Sequence, residues 1–358
     1  MTRPARALID AHALRHNLNR VRQAAPNAKV MAVVKANAYG HGLVRVARIL
    51  LGANAFAVAS FEEGLALRNA GVAHPICLLE GFFDAEELAL LNHYRFMPVL
   101  HHESQLLQLE HSQDSSPIDV WLKVDTGMHR IGFAPEMAAQ MRKRLEACPQ
   151  VQRIRMMSHF ANADDTADMT TQQQIDRFKS LVNGWGLESS LANSAGVLGW
   201  PQSHVDWVRP GIMLYGVSPL LGKTAAELEL QPVMTLSSRL IAVNRHRKGE
   251  RVGYGGEWVC PEDMPVGVVA VGYGDGYPRH APSHTPVLVN DERVSLIGRV
   301  SMDMITVDLR TQTSAKVGDP VVLWGTGLPV EEVAEHAGTI GYELLARLPQ
   351  RVPRVEIN

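Results

Sequence analysis

The chain has 358 residues, 46% of them hydrophobic, and a formal net charge of −2. That size supports one large domain plus a smaller one, and the near-neutral balance gives no reason to expect a nucleic acid or an anionic membrane as partner. Three cysteines (Cys77, Cys148 and Cys260) without short spacing argue against a disulfide framework and against a zinc site, and Cys77 reads as a small core residue.

The basic start, Met1-Thr2-Arg3-Pro4-Ala5-Arg6, is interrupted at once by Asp10, His12, Arg15 and His16, so neither a signal peptide nor a membrane helix is expected, and the cytoplasm is the expected compartment. Residues Asp10 to Gln23 place Leu14, Leu18 and Val21 on one helical face. Eight short apolar runs then follow: Val30–Lys35, Ala55–Ser60, Pro75–Glu80, Phe96–Leu100, Asp119–Asp125, Arg153–Phe160, Ser190–Ser194 and Trp207–Tyr215. Helix signals separate several of them. Ser60 with Glu63, Asp84 with Glu87 and Thr171 with Gln174 have capping spacing, and Pro135 suits a first helical turn. Strands alternating with helices predict an α/β fold, a (β/α)8 TIM barrel, with a doubly wound sheet as the structural competitor.

Beyond about residue 230 strand patterns dominate: Met234–Asn244, Val266–Gly272, Pro286–Val289, Arg293–Gly298, Ile305–Leu309 and Pro320–Leu323, with one helix near Val330–Ala337. The expected division is residues 1–225 as barrel and 226–358 as a C-terminal all-β domain, with no long flexible linker between them.

Chemistry in such a barrel sits at the C-terminal ends of the strands. Lys35 ends the first run, before the glycine-bounded turn Ala36-Asn37-Ala38-Tyr39-Gly40. A desolvated amine at a strand tip can form a Schiff base with an aldehyde, which makes pyridoxal phosphate the first cofactor to consider. The same rim receives Lys123, Asp125 and Arg130, then His159 with Asn162 and Asp164, then Asn193 and Ser194, then Arg209 with Gly211 and Ile212. Ser194 and the backbone near Gly211 and Ile212 suit a phosphate. Arg209 suits a ring nitrogen, which it would leave unprotonated. Each also has a plainer reading: Lys123 as an edge-strand charge, His159 as a core histidine, Arg209 as a surface partner of Asp206, Tyr39 as a barrel cap. In the β half, Val252-Gly253-Tyr254-Gly255-Gly256 puts a phenol in a glycine-flanked turn, and Gly298–Met304 ends a strand with polar groups.

Together the segments AVVKANAYGHG, LKVDTGMHRIG, MSHFANAD, NSAGVLGW, VRPGIMLYG, VGYGGEW, VGYGDGYPR, GRVSMDM and RVPR make the chain resemble the bacterial alanine racemases from about Ala5 to Arg354. The resemblance implies a pyridoxal-phosphate isomerase of the barrel-plus-β-domain type that interconverts L- and D-alanine by a two-base mechanism. It implies that Lys35 carries the cofactor and serves the D-alanine side. Tyr254 serves the L-alanine side in the site of the partner subunit of a homodimer. Tyr39, Ser194, Gly211 and Ile212 bind phosphate; Arg209 contacts the pyridine nitrogen and, with His159, supports Tyr254. Arg130 and the backbone at Met302 hold the substrate carboxylate, Lys123 is often carbamylated to orient Arg130, and Asp164, Tyr273, Arg279, Arg299 and Asp303 line the entry. No metal is implied. Many family members carry a tyrosine just before RVPR, where this chain has Gln350, which places the phosphate contact and the entry in question. Alternatives are a racemase that also accepts serine, a related decarboxylase, whose glycine-run phosphate loop and cysteine–acid motif are not found here, and a non-catalytic cofactor-binding protein, a class that usually lacks a β domain.

Overall fold

The computed structural model describes residues 3–112 and 116–358, so Met1 and Thr2 of the basic start lie outside the described residues. Eight parallel strands close into a barrel: β2 (Lys29–Val33), β3 (Ala55–Val58), β4 (Ile76–Leu78), β5 (Phe96–Leu100), β6 (Ile118–Lys123), β7 (Val151–Met157), β8 (Ser189–Ser190) and β9 (Trp207–Val208), following β1 (Arg6–Asp10) in the chain. Closure comes from the β2–β9 pairing of Lys29 with Trp207 and Val30 with Val208. The strands are covered on both faces, which is why they read as unbroken apolar runs. Alternate residues separate inside from outside: Met31, Val33, Ala55, Ala57, Cys77, Met97, Val99, Trp121, Met157 and Trp207 fill the barrel. Val30, Ala32, Phe56, Val58, Ile76 and Leu78 pack outward into the larger core. Each of the eight runs supplies a barrel strand, and the doubly wound competitor is excluded.

The far end of the barrel is closed by charge. Arg155 Nε reaches Glu188 at 2.8 Å and its Nη1 reaches Asp119 at 3.1 Å, while Lys29 meets Glu188 at 2.5 Å and stands over the Trp207 ring. The polar groups of this floor are paired with one another, which leaves the opposite rim for a ligand.

The helix signals resolve individually. Helix Phe61–Asn69 starts at Ser60, whose Oγ accepts from Glu63 N at 3.5 Å. Glu63 does not close a box on Ser60; its carboxylate accepts from Ala59 N at 3.0 Å and from Asn37 N at 3.2 Å, tying this helix to the turn after β2. Asp84 caps as expected, and Glu87 accepts from Phe83 N. Thr171 is not a cap: the helix runs Thr170–Val182, and Gln174 turns inward instead, donating to the carbonyl of His159 at 3.1 Å.

The second sheet has the order β13-β16-β15-β14-β17-β10-β1-β18, built from β10 (Met234–His246), β13 (Met264–Val269), β14 (Pro286–Val289), β15 (Glu292–Ile297), β16 (Ile305–Asp308), β17 (Pro320–Trp324) and β18 (Arg354–Ile357). A small hairpin joins β11 (Arg251–Val252) to β12 (Trp258–Val259). β1, which the sequence reading grouped with the barrel, pairs antiparallel with β10 and parallel with β18 in this sheet. Its partners lie more than two hundred residues away, so no local pattern announces it. Beside the expected helix Val330–His336, a second one, Gly341–Ala346, packs against the turn after β2.

That turn is unusual. Ala36, Asn37, Ala38 and Tyr39 have φ of 54°, 54°, 53° and 50°, so one turn of left-handed helix follows Lys35 before Gly40 at φ 82°. Left-handed backbone costs roughly 1–2 kcal/mol per L-residue. Only Asn37 is of a type that tolerates it, and its Oδ1 accepts from Leu43 N at 2.9 Å. Strain of this kind persists where the surroundings over-determine it, and such places cluster at functional sites.

Candidate active site

A cavity of about 620 Å³ opens at the C-terminal rim of the barrel. Lys35, Tyr39, Lys123, Arg130, His159, Ser194, Arg209, Gly211 and Ile212 all line it, with Asn193, Met157, Glu80 and Tyr342. Most of the polar rim proposed from strand ends is therefore one surface; Asp125, Asn162 and Asp164 do not line it, and Asn162 donates to Asp168 instead. The left-handed turn brings this about: it reverses the chain directly after β2, so Lys35 and Tyr39, four residues apart, face the same space.

Burial, reinforced by Arg130 and opposed by Glu80 and Glu63, lowers the Lys35 ammonium below its ordinary range. Burial and the nearby Arg209 and Arg130 bring Lys123 down to about 7, against the pull of Asp125. Asp125 turns away from the cavity; its Oδ1 accepts from the N–H groups of Gly127, Met128 and His129 at 2.9, 3.0 and 3.1 Å and shapes the loop that carries Arg130.

Arg209 is buried, and among the described residues no carboxylate pairs with it, which rejects the Asp206 partnership. Asp206 accepts from Ser189 N instead. Arg209 donates to Ser190 Oγ at 2.5 Å, to the carbonyls of Ser158 and Leu191 at 2.6 and 3.2 Å, and to His159 Nδ1 at 3.3 Å. Burial lowers it to about 10, which still leaves a cation at neutral pH. Burial, Arg209 and Lys123 push His159 well below the usual imidazole range, so it is neutral, and the Arg209 contact at Nδ1 leaves its proton on Nε2.

Opposite lies a compact polar cradle. Ser194 opens helix Ser194–Gly199, capped by Asn193, and its Oγ accepts from Gly211 N at 2.8 Å and Met213 N at 3.3 Å. With both contacts accepted, its own O–H remains to be donated. Ile212 begins a 3-10 turn, so its N–H precedes the first bond of that turn. A Cβ on Gly211 would lie 2.5 Å from the Tyr39 hydroxyl, so the phenol closes over bare backbone. The Tyr39 ring stacks on Tyr215 at 4.7 Å, and Tyr215 donates to Val33 O at 3.0 Å. Burial raises the Tyr39 phenol to about 12, which keeps it a donor. An oxyanion with several acceptor oxygens fits this donor set. An aldehyde fits the amine of Lys35, and a neutral aromatic nitrogen fits the buried, donor-only guanidinium of Arg209. These three ends of one cavity match pyridoxal phosphate.

The remaining candidates are not in this cavity. Tyr254 is 67% exposed and Met302 53% exposed, both on the β domain. Tyr273 N donates to Ser301 O and Gly274 N to Met302 O, while Arg299 pairs with Glu257 beside the Tyr254 turn; these residues form a second, outward-facing cluster. Asp303 pairs with Arg351 at 2.7 Å, Arg279 is exposed, and Asp164 accepts from Leu221 N through its carbonyl. Gln350 is exposed in a turn and does not line the cavity. Besides Tyr215, Tyr342 brings a second phenol beside Tyr39, with ring centroids 6.2 Å apart. Sequence reasoning missed Tyr342, since it enters from the β domain, and missed Glu63, whose cap spacing was its only signal.

A lysine-bearing barrel rim, a polar cradle suited to phosphate, a buried arginine that meets no carboxylate among the described residues and a C-terminal β domain define a pyridoxal-phosphate enzyme of the barrel-plus-β-domain class. Residues 9–219 match the alanine racemase N-terminal domain and residues 233–356 the alanine racemase C-terminal domain. The chain is similar to the alanine racemase of Nitrosococcus oceani, with 56% identity over 97% of this chain and 98% of that one, and to the biosynthetic alanine racemase of Escherichia coli, with 54% identity over 97% and 98%. The crystal structure of the biosynthetic alanine racemase from Pseudomonas aeruginosa superposes with a TM-score of 0.97 at 46% identity, covering 100% of both chains. The chain belongs to the alanine racemase family: it is an isomerase that uses pyridoxal phosphate to interconvert L- and D-alanine. These relatives are named for alanine, and nothing among them supports the broader serine-accepting alternative. Among the described residues no helix is long and apolar enough to cross a membrane.

Proposed function

We propose that racemisation here uses two bases held by two copies of the chain. Lys35 exchanges the Cα proton on the D-alanine side, and the partner subunit's Tyr254 on the L-alanine side. The observation that carries this is a division of parts. The cavity gathers the amine, the phosphate cradle and the guanidinium, yet Tyr254 stands exposed outside it on the β domain. Inversion needs one group on each face of a single carbon. A head-to-tail homodimer supplies the missing face, along with Met302 and the entry residues Asp164, Tyr273, Arg279, Arg299 and Asp303.

Bound pyridoxal phosphate acidifies the Cα–H of the amino acid it holds. The chain does the rest. Tyr39, Ser194, Gly211 and Ile212 would hold the phosphate end, and Lys35 would hold the aldehyde end. Arg209 stays a cation at neutral pH and would donate to the cofactor's ring nitrogen rather than accept a proton from it. An unprotonated ring nitrogen would limit electron withdrawal, which would favour return of the proton to Cα over transamination. Arg130 at the mouth takes the alanine carboxylate. Lys123, near 7, has a neutral-amine fraction at physiological pH that can attack carbon dioxide, release a proton and become an anionic carbamate between Arg209 and Arg130. We also propose a cytoplasmic role in supplying D-alanine for peptidoglycan, supported by the biosynthetic naming of the Escherichia coli and Pseudomonas aeruginosa relatives.

Single-turnover exchange of Cα deuterium tests the assignment. Tyr254→Phe is expected to slow exchange from L-alanine by about 100-fold or more while slowing the D-alanine direction much less, in keeping with loss of one general base. Lys35→Ala is expected to lose both the visible cofactor band and turnover. Equal slowing in the two directions, or a lysine variant that keeps its band, contradicts the reading.

A further inference from the structure

The left-handed turn after Lys35 is held from behind by the β domain, through a residue the site itself does not contain. Arg354 begins β18 and directs its guanidinium at four backbone carbonyls: Nε to Gly40 at 2.9 Å, Nη1 to Pro349 at 2.7 Å and Val352 at 3.1 Å, and Nη2 to Leu348 at 2.5 Å. Among the described residues no carboxylate pairs with it; the neighbouring Glu356 pairs with Arg45 at 3.5 Å. Gly40 is the residue that ends the left-handed turn. Its Cα is also pressed against the β domain, for a Cβ there would lie 2.0 Å from Leu345 O. Tyr342, on the same short helix as Leu345, stands against Tyr39. The β domain's C-terminal segment thus forms a backing for the turn, and Arg354 is the charged bolt through it.

We infer that Arg354 is a positioning residue for racemisation: by joining the Gly40 carbonyl to the C-terminal turn Leu348–Val352, it holds the left-handed turn so that Lys35 and Tyr39 keep their mutual placement. The turn consists of backbone that L-residues avoid, so an external restraint is needed to keep it in one register. A guanidinium is suited to this because its fork places several N–H donors on separate carbonyls at once. Loss of the fork frees Gly40 O, loosens both ends of the cofactor's seat together and leaves Arg209, Ser194 and Arg130 in place.

The inference rests on Lys35 and Tyr39 being the cofactor's amine and phosphate contacts, and the Lys35→Ala band test fails separately if that reading is wrong. Holoenzymes with Arg354→Met, Arg354→Lys and Arg45→Met are compared for cofactor release on dilution, kcat, KM and Tm. Arg45→Met is the control: it breaks the pairing with Glu356 and the bond to Arg354 O but leaves the Gly40 contact intact. Arg354→Met is expected to release cofactor about tenfold faster or more and to lower kcat by a similar factor, as suits the loss of a charge-assisted hydrogen bond, with KM for alanine moving less. Arg354→Lys, with one donor still able to reach Gly40 O, is expected to fall between that variant and wild type. Arg45→Met is expected to keep the wild-type release rate even where its Tm drops. Release and kcat within twofold of wild type in Arg354→Met overturn the inference, as does equal acceleration in Arg45→Met at equal Tm. If Arg354→Met does not fold, Arg354→Lys against Arg45→Met decides: faster release only in the former supports it, and equal release overturns it.

Discussion

Gly211 shows how little room the polar cradle leaves. The Tyr39 phenol lies where a Cβ would be, and Tyr215 and Tyr342 hem in its ring, so the phenol has no easy retreat. Forcing a methyl group into such a site costs about 1–3 kcal/mol. Gly211→Ala is expected to weaken pyridoxal phosphate binding by about tenfold or more, read by fluorescence titration of the apoprotein; unchanged affinity contradicts the cradle. His41 works on the same turn from the other side. Its Nδ1 meets the carbonyls of Tyr39 and Ala38 at 2.9 and 3.1 Å, its ring lies 4.6 Å from that of Tyr215, and its buried Nε2 has no partner among the described residues. Burial lowers its pKa from 6.5 to about 4. The unfolded chain therefore binds the extra proton first as pH falls. The stability of the neutral form is complete above about pH 6.5 and is lost progressively towards pH 4, a difference of roughly 3 kcal/mol. His41→Phe keeps a ring against Tyr215 and is expected to take up about one proton fewer on unfolding across that interval, measured from denaturant midpoints at stepped pH. An unchanged slope would place the titration elsewhere. At this scale the sequence was legible where a polar group ended an apolar run, as at Lys35, Lys123 and Arg209. It was not legible where the partner arrived through tertiary packing, as with Tyr342, or where one carboxylate did two jobs, as with Glu63.

The barrel strands could be read because burial on both faces leaves only apolar residues to choose from, and the inside–outside division then follows from alternation alone. β1 and β18 escaped because β1 pairs with β10 and β18 with β1, and pairings across more than two hundred residues leave no local trace. The left-handed turn escaped for a different reason. Alanine has no preference for that backbone, so Ala36 and Ala38 signal nothing; only Asn37 and Gly40 hint at it. Ala36 is exposed at φ 54° and ψ 52°, so its backbone can be tested without disturbing packing. Ala36→Gly removes roughly 1–2 kcal/mol of left-handed strain and adds about 0.5–1 kcal/mol of unfolded-state entropy. A net stabilisation of about 0.5 kcal/mol is expected in urea unfolding, where glycine in an ordinary helix would destabilise by a similar amount. Destabilisation of that size would show that the turn is not strained.

At the scale of the whole molecule, the proposed two-base site takes its parts from two chains. The barrel contributes the cavity, and the β domain presents Tyr254, Tyr273 and Met302 outward at 67%, 41% and 53% exposure. The β domain serves its own barrel from behind, through Tyr342 and Arg354, and on this account serves the partner's barrel from in front, through Tyr254. That division could be suspected from the glycine-flanked tyrosine but not read from it, because nothing local to residues 252–256 says which cavity the phenol enters. The most direct test is subunit mixing. The Lys35→Ala and Tyr254→Ala proteins, each expected to be inactive, are unfolded, mixed in equal amounts, refolded with pyridoxal phosphate and assayed for alanine racemisation, with tags verifying hybrid formation. Each hybrid holds one site carrying both substitutions and one site with wild-type Lys35 and Tyr254, so about a quarter of wild-type activity is expected to return. Verified hybrids without activity would show that the two residues serve the same chain, and the account of a shared site would be wrong.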